Sequence, residues 1–225
     1  MHDLTDRNQY LEKFTNDVPN GSPPGAESIR QRALQTALDI RKFEIDLYWK
    51  RATYFWTLAA ATLAGFFILH SRPESVEKFP VHVYLVAWIG FLISLAWFQA
   101  NRGSKFWQEN WELHVDRLET DVNGPLQETV LWSGEPSRFG LGSYPYSVSK
   151  IGQSIALFIT LTWLGLIVSS VPWTRLQCWW ADCDWHLVGL AAVTLPGVFF
   201  TMHLIWRVDR TKAFSTLHSE TRKPI

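Results

Sequence analysis

Charge is missing from four stretches of the chain. Residues 52–71, 79–101, 151–173 and 185–206 hold no Asp, Glu, Lys or Arg. A helix needs about 20 residues to cross a hydrocarbon core ~30 Å thick, and each stretch is long enough. None keeps the single polar face that a surface helix turns to water. One such run fits inside a soluble domain as a buried helix, but four in 225 residues do not. The pattern therefore predicts an all-α integral membrane protein with four transmembrane helices, at about 53–70, 80–100, 151–171 and 185–206. The first follows some fifty mostly polar residues, which is not the arrangement of a cleavable signal peptide.

The polar segments carry their own periodicity. Residues 1–27 are polar, include "NGSPPGA" and predict a flexible tail. Helical text begins at "SIRQ", which has capping-box spacing. Ile29, Ala33, Thr36, Ile40, Phe43 and Leu47 then recur at steps of four and three. A second stripe is Leu34, Leu38, Ile45 and Tyr48, interrupted by Arg41. No Pro or Gly separates these stripes from the first span, so one helix is predicted from about Ser28 to about His70, some 65 Å long. After the second span, Trp107, Trp111, Val115, Leu118 and Val122 share a face as far as Asn123-Gly124-Pro125, a strong terminator. Gly103 is the weak point, costing about 1 kcal/mol relative to Ala in a helix interior. Residues 28–122 thus predict a long antiparallel helical hairpin that contains the first two spans and continues past them. One stripe of its first arm should pack within the hairpin. The Leu34 and Leu38 stripe is left to meet a neighbouring subunit. Residues 123–150 read as an irregular connector held at the membrane surface by Trp132, Phe139, Tyr144 and Tyr146. Residues 207–225 read as a basic tail.

Net charge is zero and mean hydropathy is −0.04, values that suit a soluble protein until their segregation is seen. The lack of a basic excess excludes a nucleic-acid partner. Thirteen Trp fit a chain that meets membrane interfaces, where one side of the ring is apolar and the other wet. Lys and Arg number eight before the first span, five between the second and third, and five after the fourth. The two remaining loops hold two and one. The positive-inside rule places both termini and the connector in the cytoplasm. The arms are complementary, net +3 over residues 28–52 and net −2 over 101–122. With Arg51 and Asn101 level, partners sum to about 152, which pairs Arg32 with Glu119, Arg41 with Glu112, Lys42 with Glu109 and Asp46 with Lys105. Such exposed pairs are worth ~0–1 kcal/mol each, so they set register more than stability.

Candidate chemistry is sparse. Small residues four apart let helices approach closely in lipid, as at Ala60 and Ala64, Ala61 and Gly65, and Gly90 and Ser94. Pro196-Gly197 should kink the fourth span. The spans lack ionisable Asp, Glu, Lys and Arg, which argues against an ion-coupled transporter. Gln153, Ser154, Thr160 and Thr162, with Thr194, Thr201 and His203, either line a small oligomeric pore or make helix–helix hydrogen bonds. His70, His82 and His186 fall at the outer interface and form a pH or metal site only if they converge. Cys178 and Cys183 close a small disulfide if their loop faces an oxidising compartment, and otherwise remain two thiols. Their spacing matches no structural zinc site. "GLGS" lacks the preceding strand and the GK[ST] ending of a phosphate loop, and no hydrolase, metalloprotease or cofactor motif is present. His114, between Glu112 and Asp116, reads as a polar residue facing water rather than as an acid/base site. No catalytic, cofactor or metal residue is expected.

Four blocks, "RKFEIDLYWKRATYFW", "WELHVDRLE", "GPLQETVL" and "YSVSKI", resemble a group of bacterial four-span proteins, the RipA-like octameric membrane proteins. The resemblance covers roughly residues 35–155 and rests on sequence blocks rather than on a chemical motif. It implies a homo-oligomeric inner-membrane protein and supplies no catalytic residue. The expected function is that of a non-enzymatic oligomeric scaffold or signal-transmitting component. It would work through its cytoplasmic hairpin, with the lipid bilayer, further copies of itself and a cytoplasmic protein as partners. The alternative is an oligomeric pore or membrane-permeabilising effector, as in phage defence. A membrane-bound enzyme is the remote alternative.

Overall fold

The computed structural model describes residues 10–12, 14, 17–18, 20–23, 26–71, 81–126, 129, 131, 144–171 and 185–206, the last without the side chains of 185–187 and 206. These residues form four long α-helices: α1 (Ile29–His70), α2 (Val81–Glu119), α3 (Val148–Ser169) and α4 (Trp185–Trp206). No strand occurs among the described residues. Each helix contains a stretch long and apolar enough to cross a membrane. The start of α1 is a reciprocal cap. The Gln31 N–H donates to Ser28 Oγ at 3.2 Å, and the Ser28 N–H donates to Gln31 Oε1 at 2.8 Å. The end of α2 closes through the Asn123 N–H, 2.7 Å from the Glu119 carbonyl. Gly124 follows at φ 80°, a left-handed conformation that suits glycine. Both α1 and α2 are uninterrupted, across Lys50-Arg51 and across Gly103 respectively.

The described residues fall into two compact units. The first takes its residues from Met1–Trp49 and Gly103–Ser147, and the second from Lys50–Arg102 and Val148–Thr211. In the first unit α1 and α2 run antiparallel. Leu34 and Ala37 of α1 form one cluster with Val115 and Leu118 of α2, and Leu38, Trp111 and Val122 pack against it. Arg30 Nη1 lies 2.6 Å from Asp121 Oδ2.

Three expectations are corrected here. The stripe that packs within the hairpin is the one holding Leu34 and Leu38, although its Ile45 is exposed, and Ile29 and Phe43 of the other stripe are exposed. The two rows are equally apolar, and the buried one is the row that meets Val115 and Leu118 of α2, with Ala37 beside it also in the core. Second, the arms keep the expected register of about 152, with Arg30 and Asp121 summing to 151, but the pair that forms across them differs. Arg30 holds Asp121, whereas Arg32 is exposed and Glu119 buried. Lys105 pairs within its own helix, 3.3 Å from Glu109 and 4.0 Å from Glu112, and Lys42 lies 4.0 Å from Asp39. Such local pairs cost less side-chain entropy than reaching across to another helix. Arg41 Nε is buried with no acceptor among the described residues. Third, the flexible tail does not extend over all of residues 1–27. Tyr10 is buried, and Leu11 and Phe14 pack on the same cluster.

The second unit is built on indole rings. Its core joins Phe66 of α1, Val83, Tyr84, Ala87, Trp88 and Phe91 of α2, and Trp163 and Ile167 of α3. Phe66 meets Trp163 edge-on at 5.7 Å. Two glycines make room: a Cβ on Gly90 would run into the Trp163 ring, and a Cβ on Gly197 into the Trp88 ring. Ser94, fully buried, returns its hydroxyl to the Gly90 carbonyl at 2.9 Å.

Candidate functional site

Two features of the described residues have the shape of a site. The first is the seat of residues 10–14 on the hairpin. Hydrophobic burial of Tyr10, Leu11 and Phe14 brings the segment down. Arg30 then fixes its backbone. Its guanidinium donates to the Phe14 carbonyl at 3.0 and 3.2 Å and to the Leu11 carbonyl at 3.3 Å while holding Asp121. The Ile29 N–H donates to the Asp17 carbonyl at 3.2 Å, so the chain returns to the start of α1.

The Tyr10 ring ends against His114, with its hydroxyl 2.6 Å from Nδ1. Trp111 lies against the imidazole at 5.2 Å, and the Arg117 guanidinium sits 5.3 Å over the Tyr10 ring. Burial, and then the positive charge of Arg117, hold the His114 pKa below its ordinary value. Burial pushes the Tyr10 phenol up to about 12, with Arg117 acting against it. Both groups are therefore neutral near pH 7. With its proton on Nε2, the imidazole accepts the Tyr10 O–H at Nδ1. His114 is thus half-buried and bonded, which corrects its reading as a water-facing residue. The sequence signal that marks this seat is the small apolar cluster Tyr10, Leu11 and Phe14 inside polar text.

The second feature is an apolar groove of about 410 Å³ in the second unit. Trp56, Ala59, Ala60 and Leu63 of α1 line it, with Trp97 of α2 and Ile155, Phe158, Ile159, Thr162 and Trp163 of α3. Phe55 stacks on the Trp97 ring at 6.3 Å and Trp56 meets it edge-on at 6.4 Å. Trp97 is 2% exposed, and its Nε1 is buried with no acceptor among the described residues.

The other sequence candidates do not converge. Ala60, Ala61 and Ala64 are exposed, and a Cβ on Gly65 would meet nothing within 4 Å, so the small face of α1 is not used inside the chain. Pro196 lies within the continuous helix α4. Ser154, Thr160 and Thr162 each return their hydroxyls to the carbonyl four residues back. Thr201 does the same, whereas Thr194 also lies 2.9 Å from the Tyr84 hydroxyl. Gln153 is half-buried on α3. His70 stacks on Phe66, His82 is exposed, and the His186 side chain lies outside the described residues, as do Cys178, Cys183, Trp132 and Phe139. Tyr144 and Tyr146 are described and exposed, their rings 4.7 Å apart. No metal-binding group of three or more His, Cys, Asp or Glu occurs among the described residues.

Four span-length apolar helices, held together by indoles seated on glycine, define an all-helical polytopic membrane protein. The chain belongs to the octameric membrane protein family (8xMP), whose model matches residues 31–172. That match covers both arms of the hairpin, the connector and α3. It makes the chain an oligomeric protein of a lipid membrane. No curated protein and no solved structure matches the chain.

Proposed function

We propose that the protein is a non-enzymatic scaffold or signal-transmitting component of the bacterial inner membrane. In this reading it is an octamer with both termini and the hairpin unit in the cytoplasm. One observation carries it. With Tyr10, Leu11 and Phe14 filling one face of the hairpin, α1 still exposes Phe43 (58%), Trp49 (50%), Ile45 and Ile29. Apolar surface of that extent on a water-facing arm favours a protein partner, first a neighbouring hairpin and then a client.

The experiment is photo-crosslinking from position 43 in membranes, with a probe at the buried Ala37 as control. A ladder of subunit multimers, or a discrete heterologous product, supports the reading. Crosslinks to lipid alone would overturn it, because the arm would then lie on the bilayer. A steady conductance from the purified protein in planar bilayers would move the assignment to a pore.

A further inference from the structure

We propose that the groove between α1 and α3 is a subunit contact of the oligomer within the membrane, and that its occupant is the exposed face of α4 from a second copy of this chain. Phe199 and Met202 of that copy would enter the groove over Ala59 and Ala60. The inference rests on the assembly of the family and is independent of the scaffold reading.

Symmetry restricts how copies meet. Every copy carries the same distribution of Lys and Arg, so all copies insert the same way up. Copies of one orientation in one bilayer are related only by rotation about the membrane normal. A ring of more than two such copies joins two different faces, and the rotation keeps both at the same depth. The octamer of this family therefore needs a receiving face and an inserting face that lie level within one chain.

The groove is the receiving face. Its α1 wall runs from Trp56 to Leu63, about 10 Å of rise, along which a whole helix 10–12 Å across would fill about 800 Å³ or more. A groove of about 410 Å³ takes side chains from such a helix rather than the helix itself. Ala59 and Ala60 leave the α1 backbone bare in the groove wall, which lets a neighbouring helix approach closely in lipid.

The inserting face is on α4. That helix turns Thr194 and Gly197 to Tyr84 and Trp88 of α2, and only 6% of its apolar window is buried inside the chain. Leu195, Phe199 and Met202 follow at steps of four and three on its other side, and all are more than half exposed. Among the described residues the Phe199 ring meets Phe200 and His203, both on its own helix.

The two faces also lie level. The stack of Phe55 on Trp97 aligns α1 with α2 at that point. Ala60, five residues along the antiparallel α1, is therefore level with a point about four residues beyond Trp88 on α2. Helix α4 runs parallel to α2, since Gly189, Thr194 and Gly197 meet Val81, Tyr84 and Trp88 in that order. Met202, five residues beyond Gly197, thus lies at the depth of Ala60 to within about half a turn. Phe67 and Ile68, large exposed residues of α1, lie about two turns from Ala60 and miss the groove.

The test is oxidative crosslinking in native membranes, in a chain carrying Cys178→Ser and Cys183→Ser. Ala60→Cys and Met202→Cys together in one chain should give a ladder of multimers, and neither alone should. Two differently tagged chains, one with Ala60→Cys and one with Met202→Cys, should give a dimer joining the two tags and nothing larger. Phe199→Ala removes an exposed ring and should leave helicity unchanged. It should move dissociation of the detergent-solubilised oligomer to a protein concentration at least about tenfold higher, the effect of losing a buried aromatic anchor. Ala60→Trp fills the groove and should leave no multimer, and if that variant fails to fold, Phe199→Ala decides in its place. The proposal is overturned if the tagged chains give no mixed dimer, which would leave the groove to lipid. It is equally overturned if Ala60→Cys alone gives a dimer, which would set groove against groove, or if Phe199→Ala dissociates as wild type does. Photo-crosslinking from position 43 reads the scaffold proposal separately, so either can fail without the other.

Discussion

The hydroxyl of Tyr10 lies 2.6 Å from Nδ1 of His114, a residue 104 positions further along the chain. This bond fastens residues 10–14 to the far arm of the hairpin, while Arg30 fastens their backbone to the near arm. The segment is thus clamped on both helices at once. Its removal would expose Leu34, Ala37, Val115 and Leu118, the apolar seam of the unit.

Tyr10→Ala should release the segment without unfolding α1 or α2. Removing a buried aromatic ring costs about 3 kcal/mol or more, which is large for so short a segment. Hydrogen exchange at residues 10–14 should rise to unprotected rates, with the amides around Val115 rising less. Protection that stays at the wild-type level would mean that Tyr10 is not what holds the segment.

The clamp should also loosen in acid. The docked state keeps His114 neutral and lowers its pKa, so the undocked chain binds the proton more readily. The stabilisation is complete above the ordinary histidine value near 6.5 and declines as pH falls from there through the lowered value. Exchange protection of residues 10–14 measured between pH 8 and 5 should follow that course. In His114→Gln, which cannot titrate, the profile should be flat across this range.

Glycines in the spans should divide by what faces them. At Gly90 and Gly197 a side chain meets the Trp163 and Trp88 rings, so Gly90→Leu and Gly197→Leu should each cost about 3 kcal/mol through overpacking. Gly65 has open space, and Gly65→Leu should leave the fold of the chain intact. Thermal unfolding of the detergent-solubilised protein reads the difference. Equal losses at all three positions would show that the indoles are not the determinants.

Topology is checked by reporter fusions. Those at residues 1, 135 and 225 should report cytoplasm, and one at 180 the opposite side, because eighteen of the 21 Lys and Arg lie on one proposed face. On the same orientation, Cys178 and Cys183 should resist alkylation until reduced. A cytoplasmic signal at 180 would remove the four-span arrangement. Ready alkylation would remove only the disulfide.

The four spans, the continuity of α1 and α2 and the turn after Glu119 were legible in the sequence. They follow from charge-free length, from the absence of Pro and from Asn123-Gly124-Pro125, all of which act along the chain. Assigning the inward stripe of α1 was not. Ile29 with Phe43, and Leu34 with Leu38, are equally apolar rows at helical spacing, and only the side chains offered by α2 select between them. Register was legible to within one residue, since charge complementarity tolerates a slip that the contact of Arg30 with Asp121 does not. Tyr10, Leu11 and Phe14 were lost in polar text because three apolar residues near a Pro/Gly-rich stretch have no periodicity. Their role exists only when a groove is present to receive them.

By itself, then, the sequence determined the solvent each segment requires and the length of each helix, because transfer free energy and backbone continuity are local quantities. Tertiary structure decided which glycine admits an indole, which carboxylate meets which guanidinium, and that His114 would be buried and bonded. Those outcomes depend on side chains distant in the chain arriving at the same place. Packing at close range is set by their joint shape rather than by any one of them.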